Sequence, residues 1–96
     1  MISEIAVLKI NPEEAPAFEK MYSEVVSILR SQKGYRGDKL LRAIERPEEY
    51  ILAVEWDNVE AHQAFIDSVS YSEMTGPFGK FVKESGFAHY NTVATS

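Results

Sequence analysis

Ile51-Leu52-Ala53-Val54-Glu55-Trp56-Asp57-Asn58-Val59-Glu60-Ala61-His62-Gln63-Ala64-Phe65 holds a strand, a corner and the start of a helix. Ile51, Leu52 and Val54 are β-formers in a run too short to stand as an independent helix, so the segment reads as a strand that ends on the only tryptophan. Asn58 follows as an N-cap, its side-chain oxygen able to accept from the free N–H groups of a first helical turn. Glu60 in that turn complements the helix dipole. Val59, His62, Phe65 or Ile66, and Val69 then recur at spacings of three and four, which puts His62 on the apolar face. An indole and an imidazole are thereby expected near one strand-to-helix corner.

Upstream of this block, the segment Ile2 to Ile10 is rich in Ile, Val and Leu and is interrupted by Ser3, Glu4 and Lys9. Asn11-Pro12-Glu13-Glu14 ends that strand and starts a helix, with a cap, a proline at the first helical position and two acids behind it. The helix carries Phe18, Met21, Tyr22, Val25, Ile28 and Leu29 on one stripe and runs to about Ser31 or Gln32. Lys33-Gly34 closes it. Tyr35 to Ile44 reads as the second strand and Tyr50 to Trp56 as the third. The polar connector Glu45-Arg46-Pro47-Glu48-Glu49 is short enough to make the two an antiparallel hairpin. Downstream, the second helix extends from about Asn58 to Ser68. A break is expected at Ser70-Tyr71-Ser72, then one or two helical turns across Glu73 to Lys83, a turn at Ser85-Gly86, and a last strand from Phe87 to Thr95.

The order β-α-β-β-α-β, with right-handed crossovers and one sheet, gives an α+β, ferredoxin-like sandwich: a four-stranded antiparallel sheet with helices on one face. It occupies the whole chain as a single domain, residues 1–96, with a core from about 2 to 93. The third strand is apolar at both parities, with Tyr50, Leu52, Val54 and Trp56 on one face and Ile51 and Ala53 on the other. The first strand is mixed likewise, with Ala6, Leu8 and Ile10 against Ile5 and Val7. A sheet with one wet face should alternate cleanly. The second apolar face needs a cover, and a second copy of the sheet is the simplest one, so a homodimer through the sheet face is expected.

Composition excludes several classes. A net charge of −5 with scattered Lys and Arg argues against nucleic acid, which needs a clustered basic face. The absence of cysteine rules out disulfides, thiol catalysis and thiolate metal sites. Met1 leads directly into an apolar-alternating segment with no basic n-region, and no apolar run approaches the roughly 18–20 residues that span a bilayer. A soluble cytoplasmic protein without a leader or a membrane partner is the expectation. Nothing resembles a nucleophile triad, a phosphate loop or a nucleotide fingerprint.

The block Val54-Glu55-Trp56-Asp57-Asn58-Val59-Glu60-Ala61-His62, the terminal Phe87-Ala88-His89-Tyr90 and the Gly76-Pro77-Phe78 segment together resemble the antibiotic biosynthesis monooxygenase family, whose members are dimeric α/β barrels. The resemblance spans about Ile2 to Val93 and is specific for fold rather than for chemistry. The family and its relatives include quinone-forming oxygenases that use neither metal nor flavin, haem-degrading enzymes and signal-molecule isomerases. Haem-degrading members resemble one another in an asparagine on the first strand, a tryptophan on the second helix and an iron-binding histidine beyond it. Those positions fall here on Ala6, Phe65 and the Met74–Thr75 region, so haem breakdown is not expected.

Each candidate residue has a functional and a structural reading. Trp56 offers a face for a planar substrate, or plugs the strand end. His62 and His89 titrate near neutral pH and could act as base or proton donor, or could be hydrogen-bonded packing residues. Two histidines without a third ligand make no metal site. Tyr71, Met74, Phe78 and Phe81 either cover a pocket or close the core. The reading that follows from the resemblance is a cofactor-independent monooxygenase for a small aromatic or quinol-type substrate. His62 and His89 are its expected catalytic residues, and Trp56, Phe65, Met74, Phe78 and Phe81 its expected pocket walls. No cofactor is called for, since a deprotonated electron-rich ring can itself reduce oxygen. A non-catalytic dimeric small-molecule-binding or regulatory module and an isomerase or decomposition enzyme for a small metabolite are the rival readings.

Overall fold

In the computed structural model, which describes residues 1–96, the chain forms strand β1 (Ile2–Ile10), a 3₁₀ turn at Pro12–Glu14, helix α1 (Ala15–Arg30), strands β2 (Tyr35–Arg42) and β3 (Glu49–Trp56), helices α2 (Val59–Ile66) and α3 (Val69–Thr75), a second 3₁₀ turn at Pro77–Lys80, and strand β4 (Val82–Tyr90). The strands make one antiparallel sheet in the order β2-β3-β1-β4. This is the ferredoxin-like arrangement, with a third short helix added to the second crossover.

Local chemistry accounts for the boundaries. Asn11 Oδ1 accepts from the Glu13 N–H at 3.0 Å and Asn58 Oδ1 from the Ala61 N–H at 2.8 Å, so both helical entries are capped as their residue types dictate. Gly34 leaves α1 at a φ of 87°, a left-handed conformation that only glycine adopts cheaply. A Cβ there would also lie 2.6 Å from that of Ala61. Its carbonyl accepts from the Asp57 N–H at 2.8 Å, which ties the end of α1 to the corner after β3.

Three boundaries differ from the sequence reading. The second strand stops at Arg42, leaving Ile44 outside and exposed. Helix α2 breaks at Asp67-Ser68 rather than at Ser70–Ser72, because the Ser68 hydroxyl donates to the Phe65 carbonyl at 2.6 Å and Ser68 then starts α3. The last strand begins at Val82, not Phe87, and ends at Tyr90. Lys83-Glu84-Ser85-Gly86 is paired along β1, Ser85 lying opposite Leu8 and Gly86 opposite Val7, so Ser85-Gly86 is strand and not turn. The polar composition of that stretch reflects an edge strand with little cover.

Helix α1 buries Phe18, Tyr22, Val26 and Leu29 against the sheet, where Leu8, Ile10, Tyr50, Leu52, Val54 and Trp56 point back at it. Phe18 packs on Tyr50 with ring centroids 4.9 Å apart. Asp38 of β2 fastens the helix to the sheet. It accepts from Tyr22 Oη at 2.8 Å, from the Tyr35 hydroxyl, and from Arg30 through Nε at 2.8 Å and Nη2 at 3.1 Å. The opposite sheet face has no helix over it. Its central rows run Leu41–Ile51–Val7 and Lys39–Ala53–Ile5–Ala88 across the register, and Leu41 is half exposed.

Candidate active site

Glu4 stands on the helix-facing side of β1, in phase with Ala6, Leu8 and Ile10 and among side chains that are nearly all apolar. It is 8% exposed, and a buried carboxyl must find partners. Two come from the corner after β3. Trp56 Nε1 donates to Glu4 Oε1 at 3.0 Å, and His62 Nε2 lies 3.2 Å from the same oxygen. The other nitrogen of His62, Nδ1, is 2.8 Å from Nε2 of His89, which is brought in because β4 places His89 directly opposite Glu4. The result is a line, Glu4–His62–His89, running from the interior to a half-buried residue on the edge strand.

Aromatic rings hold the middle of this line. The Trp56 indole stacks on the His62 imidazole with centroids 5.2 Å apart and planes at 23°. Phe87 meets the imidazole edge-on at 5.3 Å. His62 is 3% exposed. Loss of hydration, and then the neighbouring charge that His89 would carry, hold its pKa down to about 4, so the imidazole is neutral at neutral pH. Burial pushes the Glu4 carboxyl up, against the opposing pull of the indole hydrogen bond. With His62 uncharged, the 3.2 Å contact is a hydrogen bond rather than a buried ion pair.

The line borders a cavity of about 340 Å³ between the sheet and the helices. Glu4, Ala6, Leu8, Leu52, Val54, Val82 and Phe87 form its sheet side; His62, Phe65, Tyr71, Met74, Thr75 and Phe78 close it from the helices. Of the residues singled out in the sequence, His62, Phe65, Met74 and Phe78 are thus brought together. His89 is joined to the site through His62 but is not on the cavity surface. Trp56 is not on that surface either: it is fully buried behind His62. Phe81 packs on Phe18 at 6.0 Å, also off the lining. Glu4 was missed. Its signal was parity, since it alternates with Ala6 and Leu8 on a face otherwise committed to the interior.

Residues 1–76 match the profile of the antibiotic biosynthesis monooxygenase family. The chain belongs to that family. An antibiotic biosynthesis monooxygenase from Bordetella bronchiseptica, so described from its crystal structure, superimposes with a TM-score of 0.91 at 28% identity over 97% of each chain. Among curated relatives, the uncharacterized protein YczJ of Bacillus subtilis is 30% identical over 84% of this chain and 86% of its own. A mycobilin-producing heme oxygenase of Mycobacterium tuberculosis is 29% identical over 73% and 71%. The fold is shared too with SnoaB, a cofactor-independent oxygenase of Streptomyces nogalater, at a TM-score of 0.84 and 14% identity over 98% of this chain and 94% of that one.

The relatives and fold neighbours thus include a heme oxygenase and a cofactor-independent oxygenase, and the cavity residues bear on the difference. Ala6, Phe65, Met74 and Thr75 all line the cavity. They present a methyl, a phenyl, a thioether and a hydroxyl where haem-degrading members are expected to carry asparagine, tryptophan and an iron-binding histidine. The only two imidazoles are bonded to each other, His89 lies off the cavity surface, and the second nitrogen of His62 is engaged by Glu4. These side chains do not fit a haem.

Proposed function

We propose that this protein is a cofactor-independent monooxygenase that oxidises a small fused-ring phenol or quinol with molecular oxygen. The observation that carries the reading is a single buried acid–base line, Glu4–His62–His89, whose Glu4 and His62 line a largely apolar cavity. A ring lying against Phe65, Met74 and Phe78 would be held in the same cavity as those two groups. Removing the hydroxyl proton leaves an electron-rich anion that can reduce oxygen without help from a metal or flavin. The protein's part is then to bind, to exclude water and to hold the proton. A cavity of about 150 Å³ holds one benzene. The 340 Å³ here therefore suits a two-ring molecule.

The same reading extends to assembly. Two copies pairing through the row Leu41–Ile51–Val7 and its neighbours would cover the bare apolar face. No helix is long and apolar enough to cross a membrane, and a cytoplasmic setting would suit both a small diffusible substrate and a cysteine-free chain.

The test is oxygen uptake by metal-free protein with a panel of naphthols, quinols and anthrones. Protein-dependent uptake that falls at least about a hundredfold in His62→Ala supports the oxygenase, a general acid–base contribution being about 10²–10⁴. Tight binding of the same compounds without uptake would overturn it in favour of a binding module or an isomerase.

A further inference from the structure

The two histidines are the residue type expected to act as a base, yet the cavity does not meet them in a way that suits one. Both ring nitrogens of His62 are engaged, Nε2 with Glu4 and Nδ1 with His89. His89 is off the cavity surface. Glu4 is different. Its Oε1 takes both the indole and the imidazole, while Oε2 has no hydrogen bond to the protein. No polar side-chain atom of this chain is both sealed from solvent and unpartnered, so Oε2 keeps some accessible surface, and Glu4 lines the cavity.

We propose that Glu4 is the acid–base group that faces the substrate, and that His62 and His89 are positioning residues that couple its proton to solvent by switching tautomer together. This rests on the oxygenase reading for its substrate, a two-ring phenol, but not for its geometry.

The coupling follows from the donor count. When Glu4 is ionised, Oε1 accepts from Trp56 Nε1–H and His62 Nε2–H. The bare Nδ1 of His62 must then accept from His89 Nε2–H. When Oε1 carries a proton, it donates to His62 Nε2, so His62 holds its proton on Nδ1 and donates to a bare His89 Nε2. Entry of one proton at His89 Nδ1 moves a proton across each contact and neutralises Glu4, with neither ring left charged. The groups facing Glu4 are Trp56 from β3 and His62 from α2, with His89 of β4 behind; no lysine, arginine or second carboxylate pairs with it.

With a 1-naphthol-type substrate the step balances. Glu4 Oε2 takes the hydroxyl proton, and the ring anion passes one electron to oxygen. The radical pair joins in a new C–O bond at the carbon para to the hydroxyl. Glu4 returns its proton to the outer oxygen, giving a hydroperoxide. The para carbon then loses its hydrogen as a proton while the O–O bond breaks, and the departing hydroxide takes up that proton and leaves as water. The ring is oxidised to a quinone, and oxygen is reduced to one carbonyl oxygen and one water.

Histidine-selective ¹⁵N labelling reads the coupling directly, because the chain has only two histidines. In wild type, both rings should exchange Nε2–H for Nδ1–H at one common midpoint as the pH falls, with neither becoming imidazolium there. In Glu4→Gln that midpoint should vanish. The wild-type midpoint should lie lower with 1-naphthol bound than with 1-methylnaphthalene, because only the former donates to Oε2. His89→Gln, at a half-buried position on the edge strand, should leave 1-naphthol binding unchanged and displace the pH–rate midpoint. Independent titration of the two rings, a midpoint that survives Glu4→Gln, or full turnover in Glu4→Gln would each overturn the proposal. Common titration with ligand-dependent midpoints but no oxygen uptake upholds the role of Glu4 and removes the oxygenase reading instead.

Discussion

Trp56 donates its indole N–H to Glu4 across 3.0 Å, joining residues 52 apart in the chain on two adjacent strands. The same indole supports the ring of His62 on its face. One side chain therefore sets the position of both the carboxyl and the imidazole, although it does not touch the cavity. Trp56→Phe keeps an aromatic plug and removes the donor. We expect a loss of about 1–3 kcal/mol in urea unfolding, the cost of leaving a buried acceptor short of a partner. The Glu4 carboxyl should also titrate higher than in wild type, since the indole hydrogen bond opposes the effect of burial; carboxyl ¹³C shifts would read this.

The buried imidazole makes the fold sensitive to mild acid. His62 has its pKa lowered from 6.5 to about 4 in the folded protein. Between those values the unfolded chain binds the extra proton and the folded chain does not, so stability is whole above pH 6.5 and declines as the pH falls toward 4. A shift of this size corresponds to roughly 3 kcal/mol at one proton per unit of about 1.4 kcal/mol. Glu4, shifted upward, works in the opposite sense at the high end of its own transition. The comparison to make is the stability of wild type minus that of His62→Gln, measured by chemical denaturation from pH 7 to pH 4; the difference should shrink as the pH falls.

Much of this was legible before any coordinates. The caps at Asn11 and Asn58, the α1 stripe and the parity of Tyr50, Leu52, Val54 and Trp56 all follow from local rules that tertiary contacts did not overturn. Glu4 was not legible as a site residue, because an acid in a strand is ordinarily a solvated position. Only the sheet register, which places His89 opposite it, gives that acid a purpose. The start of β4 escaped for a related reason: Lys83-Glu84-Ser85-Gly86 has no apolar period, and its strand conformation comes from pairing with β1.

Asp38 should act as the clamp between β2 and α1. Arg30, the main cause, together with the Tyr35 and Tyr22 hydroxyls, holds its carboxyl down to about 2 from 3.8. The stabilisation is present above pH 3.8 and is lost as the pH falls through 2. Asp38→Ala should cost about 1–3 kcal/mol at neutral pH, because the Tyr22 hydroxyl loses its acceptor. It should also flatten the acid limb below pH 4 in a thermal-melt series.

Gly34 offers a backbone test. Gly34→Ala places a Cβ at a φ of 87° and 2.6 Å from the Ala61 Cβ. A cost of about 1–3 kcal/mol is expected from the strained conformation, with the added contact pushing it upward. Denaturant midpoints for this variant against Gly37→Ala, where a Cβ would meet nothing within 4 Å, separate the local strain from a general glycine effect.

The uncovered sheet face predicts an assembly. Ile51→Lys puts a charge at the centre of the Leu41–Ile51–Val7 row without touching the helix-facing side. Sedimentation at micromolar concentration should give a dimer for wild type and a monomer for the variant, with matching far-ultraviolet circular dichroism. A monomeric wild type would remove the assembly proposed here.

Ala6 lies two residues from Glu4 on the same face of β1, flanked across the register by Leu52 and Phe87, all three on the cavity wall. Every larger side chain at that one position would reach into the hole, while the carboxyl next along the strand keeps its indole and imidazole. Reactivity and capacity are thus written at alternate positions of a single strand. A lineage carrying this fold could move from bulky to compact substrates through one codon, without rebuilding the group that handles the proton.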